Sequence, residues 1–112
     1  MELNGKCVKE FEGYINKRDD VDINQFNTSC DSMKFGILID YFDSIKIHVD
    51  IHPLLDYNNE AYTNVISYII IVIELNKKEE LNREDLEVKT RKEARVQAIL
   101  KACEVRNEQL NK

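Results

Sequence analysis

Two histidines and an aspartate recur at every second position in one segment of the sequence, as His48, Asp50 and His52. Imidazole and carboxylate groups are ligands for zinc and related metals. Residues at this spacing share one face of an extended strand, but the first and last lie about 13 Å apart at about 3.3 Å per residue. Three groups spread over this length need further ligands to hold one ion. We therefore expect a solvated strand face, with no metal and no other cofactor.

The second candidate for chemistry is the carboxylate pair Asp40 and Asp43, which fall together if their segment is helical. Paired carboxylates serve metal-assisted hydrolysis when other groups complete the site. The sequence has no histidine near them and no glycine-rich phosphate loop, and no serine or cysteine has the neighbours expected of a nucleophile. We predict that the protein is not an enzyme. A metal-dependent nuclease is the weakest functional alternative.

The size and composition of the chain limit the classes of protein to which it can belong. The 112 residues are 43% hydrophobic and 33% charged, with three glycines and one proline, which predicts a single globular domain over residues 1–112. The formal net charge of −5 argues against wrapping of nucleic acid or an anionic membrane. It fits a protein that docks on a basic partner.

The three cysteines, Cys7, Cys30 and Cys103, are an odd number and lie far apart in the sequence, which argues against a disulfide framework. We interpret Cys7 and Cys103 as small hydrophobic residues on helix faces. The longest apolar run, Val65–Ile73, is much shorter than the roughly 20 residues of a membrane-spanning helix. We expect a cytoplasmic protein, in a reducing compartment and without membrane contact.

The first part of the chain predicts two helices separated by a loop. Apolar residues recur at steps of three and four over Leu3–Arg18, which indicates an amphipathic helix. The polar stretch Asp19–Ser32 predicts a loop. Met33–Phe42 fits a helix or a strand, and we favour the helix because Asp40 and Asp43 then share a polar edge.

The middle of the chain predicts a β-hairpin. Apolar and polar residues alternate over Ile45–Ile51, and we expect Pro53 to end this strand. After a polar connection, Val65–Leu75 is the strongest strand signal. A charged loop over Asn76–Asp85 and a short edge strand near Leu86–Val88 are expected next. The sum is an α+β fold in the order α-α-β-β-(β)-α, with a small antiparallel sheet and about three helices.

The two hairpin strands do not match in polarity. The first has one apolar face, whereas the second is apolar on both. If helices cover only one side of the sheet, the second strand exposes an apolar strip, and such strips usually mark interaction surfaces. The alternative is that other elements cover this side. We assign the expected partner-binding strip to Ile66, Tyr68, Ile70 and Val72; a homodimer through this strip is the other option.

The last helix is a basic element on an acidic chain. Thr90 and Glu93 have the spacing of a capping box, which places the start of the helix. Arginines near a helix start suit phosphates, and the beginning of this helix resembles that of double-stranded-RNA-binding domains. The alternative is that the bases neutralise the chain's own acids. The candidate RNA-binding residues are Lys89, Arg91, Lys92, Arg95 and Arg106.

Three segments together resemble small uncharacterised α+β proteins encoded by phages and prophages. They are Asn4–Cys7 leading to Phe11 and Glu12, then Phe35–Ser44, and last Lys89–Arg95. Members of that group have a glycine shortly after the Asp-Ser step, where this chain has Lys46. The resemblance implies an accessory protein made in an infected cell. Many such proteins act by stoichiometric binding, inhibitors of CRISPR effectors among them.

The functional prediction combines this resemblance with the charge and the apolar strip. We expect a non-catalytic, phage-encoded inhibitor that binds a host protein or ribonucleoprotein complex, such as a CRISPR effector, in the cytoplasm of the host cell. An acidic surface would be attracted to a basic nucleic-acid channel of such a complex. The alternative is an RNA-binding accessory domain that uses the basic last helix.

Overall fold

The computed structural model describes residues 2–57, 61–75 and 81–112, and for residues 62, 63 and 81–87 it describes the backbone alone. Within this part of the chain, four helices and three strands form an α+β fold, which confirms the predicted class. The elements are α1 (Cys7–Asn16), α2 (Ile23–Thr28), α3 (Asp31–Ser44), β1 (Ile47–Tyr57), β2 (Tyr62–Glu74), β3 (Leu81–Val88) and α4 (Arg91–Leu110).

The sheet is antiparallel with the strand order β1-β2-β3, so that β2 is central and β1 and β3 lie at the edges. β3 includes the segment Leu86–Val88, where a short strand was expected, and it takes in residues 81–85 of the predicted charged loop. Residues 76–80 of that loop lie outside the described residues. The loop prediction is therefore wrong for residues 81–85.

The prediction that Pro53 ends the first strand is also wrong. β1 continues to Tyr57, and Pro53 pairs with Tyr68 in the ladder. A proline has no backbone N–H to donate, and a strand with neighbours on both sides uses all of its N–H groups in the sheet. At a sheet edge, alternate N–H groups have no ladder partner, so an edge strand accommodates a proline.

The ambiguous segment Met33–Phe42 is helical, within α3, as favoured. The predicted loop Asp19–Ser32 is wrong in part, because it contains the short helix α2. Here Asp22 accepts a hydrogen bond from the Gln25 backbone, and the Gln25 side chain accepts one from the Asp22 backbone. This reciprocal capping box stabilises a helix too short for hydrophobic periodicity to indicate.

The helices α3 and α4 cover one face of the sheet and enclose the core with it. The small-residue stripe of α4 is fully buried at Ala94, Ala98 and Ala102, since small side chains allow a helix to approach closely. At the start of α4, the Thr90 hydroxyl accepts a hydrogen bond from the Glu93 backbone, as predicted. The largest fully buried side chains of the core are Tyr41, Phe42, Ile15, Leu38, Ile47, Ile70 and Ile99.

Candidate interaction surface

The face of β2 that we expected to be exposed is the buried one. Tyr68, Ile70 and Val72 are at most 9% exposed and belong to the core beneath α3 and α4. The expectation of an exposed strip through these three residues is wrong. Sequence alternation shows that β2 has two apolar faces, but it does not show which of them the helices cover.

The opposite face of the same strand is the open one. Ile69, Ile71 and Ile73 are half-buried, and they pair directly with His52, Asp50 and His48 of β1. Directly paired residues point to the same side of an antiparallel sheet. The expected mismatch between the strands therefore exists: a row of isoleucines lies beside a polar row, on the side away from the helices.

Ile66, the fourth residue of the predicted strip, is exposed for a different reason. It lies at a β-bulge, because Leu54 pairs with Ser67 while Leu55 pairs with Val65. A bulge places an extra residue in one strand and bends it. The hairpin therefore bends at Ile66.

Among the residues whose side chains are described, the end of the hairpin at and beyond this bulge carries most of the large exposed hydrophobic ones. We call Leu54–Tyr57 together with Ala61–Ile66 the hairpin arm. The radius of gyration of 15.5 Å exceeds the roughly 13 Å of a compact domain of this size, as expected when an element projects. Five large hydrophobic side chains of the arm are 38–61% exposed: Leu54, Leu55, Tyr57, Val65 and Ile66.

The polar row of β1 is more compact than backbone spacing suggests. His52 Nε2 lies 3.0 Å from Asp50 Oδ2, and His48 Nε2 lies 3.7 Å from the same oxygen. Both rings lean towards the carboxylate, which occupies the space between them. Among the described residues, no group of three or more His, Cys, Asp and Glu side chains is arranged to hold a metal ion.

Three of the five candidate RNA-binding residues make contacts within the protein. Arg106 binds Glu10 through two nitrogens, at 2.6 and 2.7 Å. Arg95 donates to Ser32 at 3.0 Å and lies over the ring of Phe35. The other contact joins Lys92 Nζ and Asp31 Oδ2 at 3.6 Å.

Lys89 and Arg91 are exposed. Arg91 and Arg95 line a surface cavity of about 260 Å³, together with Phe35 and Tyr68. This cavity opens at the start of α4. It brings two guanidinium groups close to two aromatic rings, which is a combination that can bind a planar anionic group.

The Glu10–Arg106 pair is the centre of a partly buried network between helices. Glu10 also accepts a hydrogen bond from the Tyr41 hydroxyl at 2.8 Å. The hydrogen bonds from Arg106 hold the pKa of Glu10 below its ordinary value, while burial raises the pKa of Tyr41. The network joins α1, α3 and α4, and its charges serve the fold.

The carboxylates of the predicted pair, Asp40 and Asp43, are both exposed on the surface of α3. Asp40 lies 3.4 Å from the Arg18 guanidinium, which binds Asp20 more closely, at 2.8 Å. Asp43 is exposed at the end of α3. Next to it, the Ser44 hydroxyl donates to the Tyr41 carbonyl, as short polar side chains do at helix ends.

The hairpin arm is the feature that sequence reasoning missed. Its signal was present, because Leu54, Leu55 and Tyr57 follow Pro53 directly. Treating the proline as a strand end removed these residues from the hairpin. The predicted strip therefore did not include Leu54, Leu55 and Tyr57.

Comparisons with protein-family models, with curated proteins and with solved structures found no match to this chain. In the part of the chain that the structure describes, none of the helices combines the length and the apolar character needed to span a membrane.

Proposed function

We propose that this chain is a non-catalytic binding protein that captures a protein partner through the hairpin arm. The observation that carries this proposal is the set of five exposed hydrophobic side chains on the arm. Single exposed hydrophobics are normal on a protein surface, whereas contiguous ones mark interaction sites. The arm lies beyond the core, so its composition serves something other than the packing of the chain.

The energetics of the arm suit a specific complex. Full burial of a large apolar side chain contributes about 1.5–3 kcal/mol. Since each arm side chain is already about half covered, a partner that encloses both faces of the arm and buries all five gains about 5 kcal/mol. The matching surface of the partner contributes a similar amount, against an association cost of roughly 4–15 kcal/mol. The row of isoleucines on the open sheet face extends the available apolar area.

Charge supports a basic partner. The net charge of −5 favours approach to a positively charged surface and raises the association rate at low salt. The narrower form of the proposal is an inhibitor of a host-defence complex such as a CRISPR effector. It is supported by this acidity and by the resemblance of the sequence to phage-encoded proteins.

The test compares arm variants with a matched control. Leu55→Ser combined with Ile66→Ser removes two exposed arm side chains, and Leu100→Ser removes an exposed side chain of similar size from α4. The three proteins are used in lysate capture with quantitative mass spectrometry, and in titrations of purified CRISPR effectors during target cleavage. We expect the wild type and Leu100→Ser to retain one partner equally, and the double variant to retain at least tenfold less.

Three other outcomes of these experiments would contradict or narrow the proposal. Equal retention by the double variant and the control removes the arm from the proposal. A partner lost with the arm, but without any effect on effector cleavage, supports the binding protein and contradicts the CRISPR inhibitor. If the mass measured by ultracentrifugation rises with concentration for the wild type but not for the double variant, the partner is a second copy of this chain.

The second candidate is an RNA-binding accessory domain, and the cavity lined by Arg91, Arg95 and Phe35 supports it. Filter binding of RNA at several salt concentrations tests it. Salt-dependent retention that is lost in Arg91→Ala combined with Arg95→Ala, and kept in the arm variant, supports RNA binding. Retention that is unchanged by the arginine substitutions contradicts it.

A further inference from the structure

Two cysteines far apart in the sequence meet inside the protein. Cys7 begins α1 and Cys103 lies in α4, and their Sγ atoms are 2.6 Å apart. Both residues are fully buried, and both are free thiols. The sulfurs are close to the separation of about 2.05 Å that a disulfide bond requires. The third cysteine, Cys30, is exposed.

The surroundings of the pair are polar, although both residues were expected to act as small hydrophobes. The Asn4 backbone N–H donates to Cys103 Sγ at 3.4 Å, and the Asn4 carbonyl lies 3.3 Å from each sulfur. The Asn107 side chain accepts from the Cys7 backbone N–H and donates to the Asn4 carbonyl, both at 2.9 Å. These contacts hold the two sulfurs against one another.

The same contacts make the two thiols chemically different. The hydrogen bond with Cys7 lowers the pKa of Cys103. The pKa of Cys7 is raised by its hydrogen bond to Cys103 and by burial. The thiolate is the nucleophile in thiol–disulfide exchange, so the direction of these shifts favours Cys103 as the thiol that attacks first.

We propose that Cys7 and Cys103 are a redox pair, which forms an intramolecular disulfide by exchange with a low-molecular-weight disulfide such as glutathione disulfide. The product ties the start of α1 to α4. This inference is independent of the proposed function, because the hairpin arm contains neither cysteine.

The reaction proceeds in two exchange steps. The Cys103 thiolate attacks one sulfur of the small disulfide, forms a mixed disulfide and releases one small thiolate. Cys7 then loses its proton and attacks Cys103 Sγ, which releases the second small thiolate. Both small thiolates take up the protons that the cysteines lost. The protein gives up two electrons, and one small disulfide becomes two small thiols.

Access to the buried pair requires a local opening of the chain. The backbone of Asn4 contacts both sulfurs, so the segment before α1 lies over them. Irregular segments outside the helices open at lower free-energy cost than the core does. We therefore expect oxidation under native conditions to be slow but complete.

The test counts free thiols by mass spectrometry after denaturing alkylation. The reduced chain has three free cysteines and takes three N-ethylmaleimide groups. After incubation with glutathione disulfide we expect a monomer that takes one group, with peptide mapping that joins Cys7 to Cys103. Because the bond closes a loop of 96 residues, we expect oxidation to raise Tm by about 10 °C or more.

Cys30→Ser is the matched control, because it removes the exposed thiol and keeps the pair. We expect this variant to take two groups when reduced and none when oxidised, at monomer mass. Cys7→Ser and Cys103→Ser should show no rise in Tm with oxidant. The proposal is overturned if the Cys30→Ser chain still takes two groups after oxidation, or loses them only as mixed or intermolecular disulfides. This readout stands even where Cys7→Ser fails to fold.

Discussion

The two halves of the β1–β2 hairpin both contain large apolar side chains, which are buried in one half and exposed in the other. In the half nearest the helices, Ile47, Ile70 and Val72 are fully buried, whereas in the arm Leu55 and Ile66 are exposed. Both halves belong to the same paired ladder. The difference teaches that burial along this ribbon depends on how far α3 and α4 extend, since the pairing of the two strands continues beyond them.

The largest expected effect separates these halves directly. Ile70→Ala leaves a cavity in the core and should lower the free energy of unfolding by about 3 kcal/mol. Ile66→Ala on the same strand should change it by less than about 0.5 kcal/mol. Urea unfolding followed by circular dichroism measures both. Similar losses of unfolding free energy in the two variants would mean that the arm is packed as tightly as the core. The two halves would then not differ in burial.

The next effect concerns the ionic network that holds the covering helices together. Arg106→Met leaves Glu10 and its hydrogen bonds without their cation, and should cost about 2 kcal/mol of stability. Unfolding in urea at pH 7 measures this loss. A loss equal to that of an exposed substitution such as Lys112→Met would show that the network contributes nothing to the helix layer.

The pH dependence of stability checks the same network with a defined sign. Arg106 holds the pKa of Glu10 below its ordinary value of 4.5. A carboxyl with a lowered folded-state pKa contributes stability that is complete above the unfolded-state pKa, and that contribution is lost as the pH falls through the folded-state pKa. The wild type should therefore lose more stability between pH 7 and pH 3 than Arg106→Met does. Parallel profiles would contradict the assignment.

The fourth prediction concerns Gly5, which lies just before α1 and close to Asn107 of α4. Its φ is +66°, and an added Cβ would lie 2.6 Å from Asn107 Nδ2. Gly5→Ala should therefore destabilise the protein by about 2 kcal/mol through backbone strain and the displaced asparagine. Gly36→Ala in α3 meets nothing within 4 Å and should stabilise by about 0.5–1 kcal/mol. Thermal unfolding of both variants tests this contrast, and equal shifts in Tm would contradict it.

The smallest effect lies at the junction between α3 and the hairpin. Lys46 has a φ of +64°, a conformation that costs a residue with a side chain about 1 kcal/mol relative to glycine. Lys46→Gly should raise the free energy of unfolding by about 1 kcal/mol. A loss of stability in chemical unfolding would show that the lysine side chain has its own role.

Elements with a strong repeat of apolar residues were predicted from the sequence. Elements that depend on a single capping interaction or on one proline were not. The helix beginning after Thr90 and the strand β2 were found because many residues repeat one pattern. The helix α2 was missed because its six residues are held by the Asp22–Gln25 capping box rather than by an apolar stripe. The hairpin arm was missed because Pro53 was judged without knowing that β1 is an edge strand.

The polarity of the chain by itself determined an α+β fold, a capped basic helix and a hairpin in which one strand is apolar on both faces, because these depend on local composition and period. Only the tertiary structure decided which face of β2 the helices cover, how far the arm extends beyond them, and that Cys7 meets Cys103 across 96 residues. These outcomes depend on how elements far apart in the sequence pack together. A pattern of residue types along the chain does not show which distant residues are close in space.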